Sequence, residues 1–346
     1  MNLLSHIRRL PLIFAGLLLV GLLLPRPAAA QLFCVYDPLG AGGDYFSLFK
    51  DYQLAAKRWG VDIELKVYTD DAQLDTAFRA GQCDMASMIG MRARAFNMFT
   101  GTVDAPGVIE NWVQLHDVMN VMASPQLARF MVSGNTEVVG MIPIGPDYMV
   151  TSNRAINSLE TAKGKKVAIM AWDKTQPMMA EYFHVIPVPT DIPHYATLFN
   201  DGKVDFLTVP MALYKPLELN KGVGTQGGIV RRPLFQFTMQ LVAYPDKFPP
   251  GFGQKSREFM ATEADHAISL ARNLESQIDS RLWVYTVHAE ITAWDSGMRA
   301  ALEKMTKAGY FDRRMLALLK RVRCKTDVDE PECAPSAEQT QNASHP

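Results

Sequence analysis

The sequence predicts an α/β fold of two similar βα lobes that face one another across a cleft. Three observations predict it. From Ser158 to Pro210 the chain reads as an apolar strand (Val167 to Met170), a helix, a second strand (His184 to Val188), another helix and a third strand (Val204 to Val209), with turn residues between them. From Leu32 to Ile89 the same order of elements occurs. Both stretches close on one pattern, Phe-x-x-Gly-x-apolar-Asp-apolar, as Phe78-Arg79-Ala80-Gly81-Gln82-Cys83-Asp84-Met85 and as Phe199-Asn200-Asp201-Gly202-Lys203-Val204-Asp205-Phe206. The pattern describes a helix that stops at a glycine able to take positive φ, then a turn, then a buried strand. In open parallel sheets ligands sit at the carboxyl ends of the strands, so two such lobes enclose a cleft.

Taken in order, the chain opens with Arg8-Arg9, an apolar run from Leu10 to Leu24 and the small-residue site Ala28-Ala29-Ala30 before Gln31. This is the pattern of a Sec-type signal peptide over residues 1–30, with export to the periplasm. The apolar run is about 15 residues, shorter than the ~20 that span a bilayer. Lys+Arg 35 against Asp+Glu 36 leaves no electrostatic footprint for nucleic acid. Four cysteines in an exported chain argue for two disulfides. Cys34 lies on the first strand and Cys83 at the start of the third, neighbours in a doubly wound order, and Cys324 and Cys333 bracket a short polar loop. Four cysteines allow three connectivities; Cys34–Cys83 and Cys324–Cys333 are the expected pairs. No spacing resembles a CxxC redox or zinc site, so the cysteines read as structural and no metal or cofactor is expected.

The first strand, Leu32 to Tyr36, runs into Asp37-Pro38-Leu39-Gly40-Ala41-Gly42-Gly43-Asp44, a glycine-rich loop that brings backbone N–H groups toward a ligand but fits neither GxGxxG nor the P-loop. A helix with apolar residues at helical spacing follows from Tyr45 to Trp59, and Val61 to Tyr68 alternates as a half-buried strand. After the third strand, Met85 to Ile89, Arg92 or Arg94 is within reach of the cleft, with a solvated arginine as the alternative for each. Phe96 to Ser133 is Met-rich and helical in places. Val138 to Ile144 reads as a strand that leaves the first lobe through Gly145-Pro146, a hinge, and Gln236 to Tyr244 as a strand returning to it. A proline-free helical run from about Gln254 to Ile291 is expected to brace both lobes, followed by shorter helices at Trp294 to Ala308 and Asp312 to Arg323. The expected division is lobe I over 31–146 plus about 238–275, lobe II over 147–237 plus about 276–325, and a disordered polar tail over 334–346.

With these phrases in place, the chain resembles the solute-binding proteins of TRAP transporters (DctP-like). The resemblance rests on Val61 to Tyr68 with the Ala77-to-Ala86 turn, Ile144 to Ile156 (IGPDYMVTSNRAI), Gly164 to Met170 (GKKVAIM), Leu198 to Pro210 (LFNDGKVDFLTVP) and Leu302 to Gly309 (LEKMTKAG), and covers most of the chain after the leader. It implies a type II periplasmic-binding fold and a non-enzymatic monomer. Its implied partners are a small-molecule solute and membrane permease subunits. The chain departs from the family pattern at three places. Ala168 stands where the family carries the arginine that pairs with a substrate carboxylate, Asp147 where a basic residue is common, and Val209 where an asparagine precedes the proline. A pocket carrying Asp147, with Asp44 or Asp173 nearby, favours an amine, a polyol or a neutral polar solute over a simple acid. The other reading of Asp147 is a cap or turn residue beside Gly-Pro.

The candidate ligand-binding residues lie at strand ends and crossings. They are Tyr36, Asp37, Gly43 and Asp44 in the first loop, and Met88 and Arg92 around the end of the third strand. Asp147, Tyr148, Phe237 and Gln240 come from the crossings, and Trp172, Asp173, Thr208 and Tyr214 from the second lobe. Asp147 would pair with a donor, and Tyr148, Trp172 and Tyr214 would stack on the ligand or enclose it. An exported enzyme on the same architecture is the weaker reading. The sequence has no GxSxG or HExxH, and His288-Ala289-Glu290 matches only half of a zinc deaminase signature. A ligand-sensing or efflux-associated envelope accessory role is a third reading.

Overall fold

The computed structural model describes residues 30–327 and 331–333. The expected leader, up to residue 29, and the tail over 334–346 lie outside the described residues.

Among the described residues ten strands form one sheet: β1 (Gln31–Tyr36), β2 (Ile63–Tyr68), β3 (Met85–Ile89), β4 (Val132–Ser133), β5 (Thr136–Thr151), β6 (Lys166–Met170), β7 (Ile186–Thr190), β8 (Phe206–Pro210), β9 (Gly228–Ala243) and β10 (Trp283–Val284). The order is β2-β1-β3-β9-β5-β8-β6-β7, with β4 on β5 and β10 on β9. β1, β2 and β3 run parallel in one half, and β6, β7 and β8 in the other. These are the two βαβαβ units expected from the sequence. Their shared phrase has one structural role in each. Gly81 and Gly202 take φ of 69° and 68°, and the aspartate after each turn reaches back to the first strand of its unit. Asp84 Oδ2 accepts from the Leu32 N–H at 2.8 Å, and Asp205 Oδ2 accepts from the Lys166 N–H at 2.7 Å.

Two 16-residue strands, β5 and β9, join the halves. They pair antiparallel from Glu137↔Ala243 to Thr151↔Gly228; β3 borders one end of this ribbon and β8 the other. The sequence reading ended the first crossing at Ile144, yet β5 continues through Gly145-Pro146. Register shifts at Pro143/Gly145 and Asp147/Tyr148 absorb the prolines, which cannot donate to a ladder. β7 starts two residues later than expected, because His184 sits at φ 54° in the preceding turn.

Both disulfides form as expected, Cys34–Cys83 with Cα atoms 5.9 Å apart and Cys324–Cys333 at 5.4 Å. The first ties β1 to the start of β3; closing a loop of that length stabilises by roughly 4 kcal/mol on loop-entropy grounds. Behind β1, Phe33, Phe49, Tyr52, Trp59 and Phe259 pack edge to face. The bracing helix is present but broken. Phe252–Thr262 and Ala264–Ser276 both pack on β5, with Glu263 between them. Arg257 pins the first piece to β5 through Glu137 Oε1 at 2.5 Å and the Val138 carbonyl at 3.0 Å. The helix does not extend to Ile291. Asp279 accepts from the Arg281 N–H, the chain turns, β10 joins the sheet, and a new helix runs over His288–Lys307.

Candidate functional site

The carboxyl ends of β1, β3, β6 and β8 converge on a cavity of about 90 Å³ between the two halves of the sheet. Tyr36 ends β1, Ile89 and Met91 come from the end of β3, Met170 ends β6, and Thr208, Val209 and Pro210 end β8. The crossing strands contribute Ile144, Phe237 and Met239, and Tyr45 and Tyr195 come from the first turns of the helices that follow β1 and β7. The walls are mostly apolar. Burial raises the pKa values of Tyr36, Tyr45 and Tyr195, so all three stay neutral phenols. Tyr195 donates to the Thr208 carbonyl at 2.9 Å and accepts from its N–H at 3.1 Å, and Tyr45 donates to the Ile144 carbonyl at 3.3 Å.

Beside Thr208 and Tyr195 lies Asp147, fully buried. Neither of its oxygens has a hydrogen-bond partner of good geometry, although the Thr208 hydroxyl is close enough to act on it. Burial drives its pKa well above the usual carboxylate range, and Thr208 pulls it back only in part. Burial therefore favours the neutral form of Asp147; a cation delivered beside it would favour the ionised form.

Both cleft arginines are committed. Arg92 is buried, donates to Asp71 Oδ2 at 2.5 Å, pairs with Asp75, and lies over the Trp172 ring at 4.0 Å. Arg94 crosses to the other half of the sheet, where its Nη2 meets Asp173 Oδ2 at 2.5 Å and Thr175 Oγ1 at 3.3 Å. Asp173 also accepts from the Thr175 and Gln176 N–H groups, so it holds the start of the Thr175–Tyr182 helix as well as the arginine. Arg94 with Asp173, and Arg92 with Trp172, form a clasp that bridges the two halves of the sheet. Under the clasp, buried Asp104 accepts from the Thr238 hydroxyl at 2.6 Å and its N–H at 3.2 Å; burial lifts its pKa to about 7. Gly90 makes room for it, since a Cβ there would overlap the Asp104 carboxylate.

Of the candidate residues, Tyr36, Thr208 and Phe237 line the cavity. Asp37 does not face it. Its Oδ1 accepts from the Leu39 N–H at 2.9 Å and its Oδ2 from the Phe46 N–H at 3.0 Å, while Gly43 packs where a Cβ would overlap that carboxylate. The glycine-rich loop thus wraps its own aspartate. Asp44 is exposed at the start of the following helix, and Met88 is core. Tyr148 packs on Trp283 and donates to Glu275 Oε2 at 3.2 Å, away from the cavity. Gln240 donates to the Thr100 carbonyl and Thr238, and Tyr214 is buried with its hydroxyl unpartnered. Arg92, Trp172 and Asp173 belong to the clasp. The sequence reading missed Tyr45, Met91, Tyr195 and Gln176; a signal was present in the two tyrosines, which open helices at the carboxyl ends of strands.

A profile of the solute-binding protein AdeT 1/2 family matches residues 53–338. The probable solute-binding protein AdeT1 of Acinetobacter baumannii is 38% identical over 300 residues, 87% of this chain and 99% of the relative. AdeT2 of the same organism is 24% identical over 233 residues, 67% of this chain and 98% of its own. Among solved structures, a TRAP periplasmic solute-binding protein from Ralstonia eutropha with bound (S)-2-acetolactate superposes with a TM-score of 0.71 at 14% identity, covering 87% of this chain and all of that one, 100%. One from Desulfovibrio salexigens with bound orotic acid gives 0.70 at 13% identity, over 86% and 99% of the two chains. One from Pseudomonas aeruginosa with bound L-malate gives 0.62 at 14%, over 79% and 99%. The paired βαβαβ units, the crossing strands and these likenesses lead to one assignment: the chain belongs to the AdeT1/2 family of solute-binding proteins, on the two-lobe fold of TRAP periplasmic solute-binding proteins.

Proposed function

We propose that this protein captures a small solute in the periplasm between two lobes and passes it, as a monomer and without chemistry on the solute, to membrane permease subunits. The lobes are 31–146 plus about 238–275 and 147–237 plus about 276–325. This division is supported by the pairing of Gly145 with Phe237 at a register shift of the crossing ribbon, next to both boundaries. We further propose that the solute has a mainly apolar surface and is uncharged or carries one amine.

One observation carries this reading: the described residues lining the cleft cavity include no charged side chain, and neither nearby arginine is free. The structural neighbours named above hold acids. Here Ala168 leaves no guanidinium in the second lobe's strand, and an incoming carboxylate would be stripped of water without a partner, which is strongly unfavourable. A polyol would leave hydroxyls against Ile, Leu and Met, so the broader expectation of any neutral polar solute narrows to amphipathic ones.

The test is a thermal-shift comparison of matched acid, amide and amine versions of the same apolar bodies. Amides or amines should raise the unfolding midpoint in a concentration-dependent way, by roughly 2.7 kcal/mol of stabilisation at a hundredfold excess over Kd, while the acids leave it unmoved. Asp147→Asn should remove the amine response and spare the amide response. Greater stabilisation by the acids would refute the reading.

A further inference from the structure

A second opening lies outside the cleft. It is a pocket of about 490 Å³ bounded by the His288–Lys307 and Arg313–Thr326 helices, the Arg232-Pro233 stretch of β9 and the loop from Gly107 to Glu110. That volume lies within the roughly 300–1,000 Å³ of small-molecule sites. Its floor is apolar, built from Ile109, Trp294, Met298, Leu302 and Leu316. Trp294 and Met298 are also the wall it shares with an apolar cavity of about 80 Å³ behind β6 and β8.

The rim is charged and unevenly neutralised. Five cations line the pocket, Arg232, Arg299, Lys307, Arg313 and Arg323, against the four acids Glu110, Asp295, Glu303 and Glu332. Arg232 is paired with Asp295, Lys307 with Glu303 at 2.6 Å, and Arg323 with Glu332 at 2.6 Å, and Glu110 has its own partner. The side chains of Arg299 and Arg313 have no ion pair or hydrogen bond among the described residues, so two guanidinium forks line an apolar-floored pocket without an ion pair of their own. A guanidinium offers parallel donors that match a carboxylate or phosphate group.

We propose that this pocket is a second ligand site, separate from the interlobe cleft, for a small amphiphilic anion. A carboxylate or phosphate monoester head sits on Arg299 and Arg313, and the apolar body lies on Met298, Leu302 and Leu316 against Trp294. The head satisfies the uncommitted guanidinium groups at the rim, where one face stays in water. The body removes the apolar floor from solvent, which supplies the larger part of the binding.

The experiment is titration calorimetry on the purified full chain with dodecanoate and with dodecyl phosphate, each below its micellar concentration. Sulfate serves as a head without a body, and octyl glucoside, also below its micellar concentration, as a body without an anionic head. The expected result is saturable 1:1 binding of either amphiphile, weakened at least tenfold by Arg299→Ala with Arg313→Ala. Binding should be unchanged by Thr208→Leu in the cleft. Both arginines are exposed, so the double variant should keep the unfolding midpoint of the parent, which is checked alongside. Leu302→Glu, on the floor, should weaken the same titration independently. The proposal is overturned by absence of saturable binding, by equal binding of octyl glucoside, or by indifference to the arginine pair. It is also overturned if Thr208→Leu removes the binding, which would place the ligand in the cleft. Binding that emerges only after deletion of residues 334–346 would assign the pocket to the chain's own C-terminal segment and overturn it as well. None of these outcomes depends on what the cleft binds.

Discussion

Asp104 is the residue whose surroundings translate most directly into a measurable property. It is buried, it accepts two hydrogen bonds from Thr238, and burial raises its pKa to about 7 against roughly 3.9 for an unfolded aspartate. The native state therefore holds a proton that the unfolded state releases near pH 4. Below that pH both states are protonated and the residue costs nothing. As pH rises toward 7 the unfolded state becomes increasingly favoured, by about 1.4 kcal/mol per unit, and above 7 the loss levels off. Asp104→Asn retains an acceptor for Thr238 and has no proton to lose. In urea unfolding at several pH values, the variant should gain on the parent from pH 4 to 7 and not beyond; parallel curves would show that Asp104 is ionised throughout. No sequence signal marked Asp104, because its meaning comes from Thr238, 134 positions away. Asp37 is a candidate ligand residue for its place in the glycine-rich loop, and Asp147 for standing where the resembled family commonly carries a basic residue. Asp37 instead serves that loop, whose N–H groups fold inward onto their own carboxylate.

At the scale of elements, local chemistry in the sequence carried most of the information. Asp70 and Asp191 cap corresponding helices of the two units, and Asp84 and Asp205 pin corresponding strands, so the repeated phrase is a repeated set of backbone bonds. Element ends were less legible where tertiary pairing overrode a local stop signal. Gly145-Pro146 reads as the end of a strand, yet β9 on one side holds the chain extended through it. The ribbon accommodates the stop signal by a register shift with Gly145 at φ 121°, where a Cβ would meet Trp112 at 3.2 Å and Ala271 at 3.3 Å. Gly145→Ala should therefore destabilise the chain by about 1–3 kcal/mol, through strain at a φ that L residues avoid and crowding against the Trp112 ring. The measurement is the urea midpoint beside that of Gly134→Ala, a positive-φ glycine whose Cβ would meet nothing within 4 Å. Equal losses at the two sites would mean that φ strain alone matters and that the Trp112–Ala271 packing beside Gly145 gives way freely.

Across the whole molecule, two lobes were readable because each repeats one unit, whereas the contact that closes them was not. Arg94 and Asp173 lie 79 positions apart, and neither carries a mark that distinguishes a clasp from a surface pair. In the structure both side chains are nearly buried, at 11% and 1% exposure, so the pair is shielded from solvent screening and its loss is felt. The two ends of this bond belong to different halves of the sheet, and opening the cleft would separate them. The pair therefore stabilises the closed state more than either lobe alone, and removing it should shift the equilibrium between open and closed rather than unfold the chain. Arg94→Ala also leaves Asp173 with its bonds to Thr175 and Gln176, so that the helix start in the second half is preserved. A charge-assisted hydrogen bond of this kind contributes about 1.5–3 kcal/mol. Since a ligand held between the lobes depends on closure, Arg94→Ala should weaken solute binding by roughly tenfold to a hundredfold. It should also raise the radius of gyration of the unliganded protein in small-angle scattering, with the secondary structure of both halves retained. An unchanged scattering curve together with unchanged affinity would mean that the clasp is incidental and that packing across the cavity, through Met91, Phe237 and Tyr195, holds the lobes together.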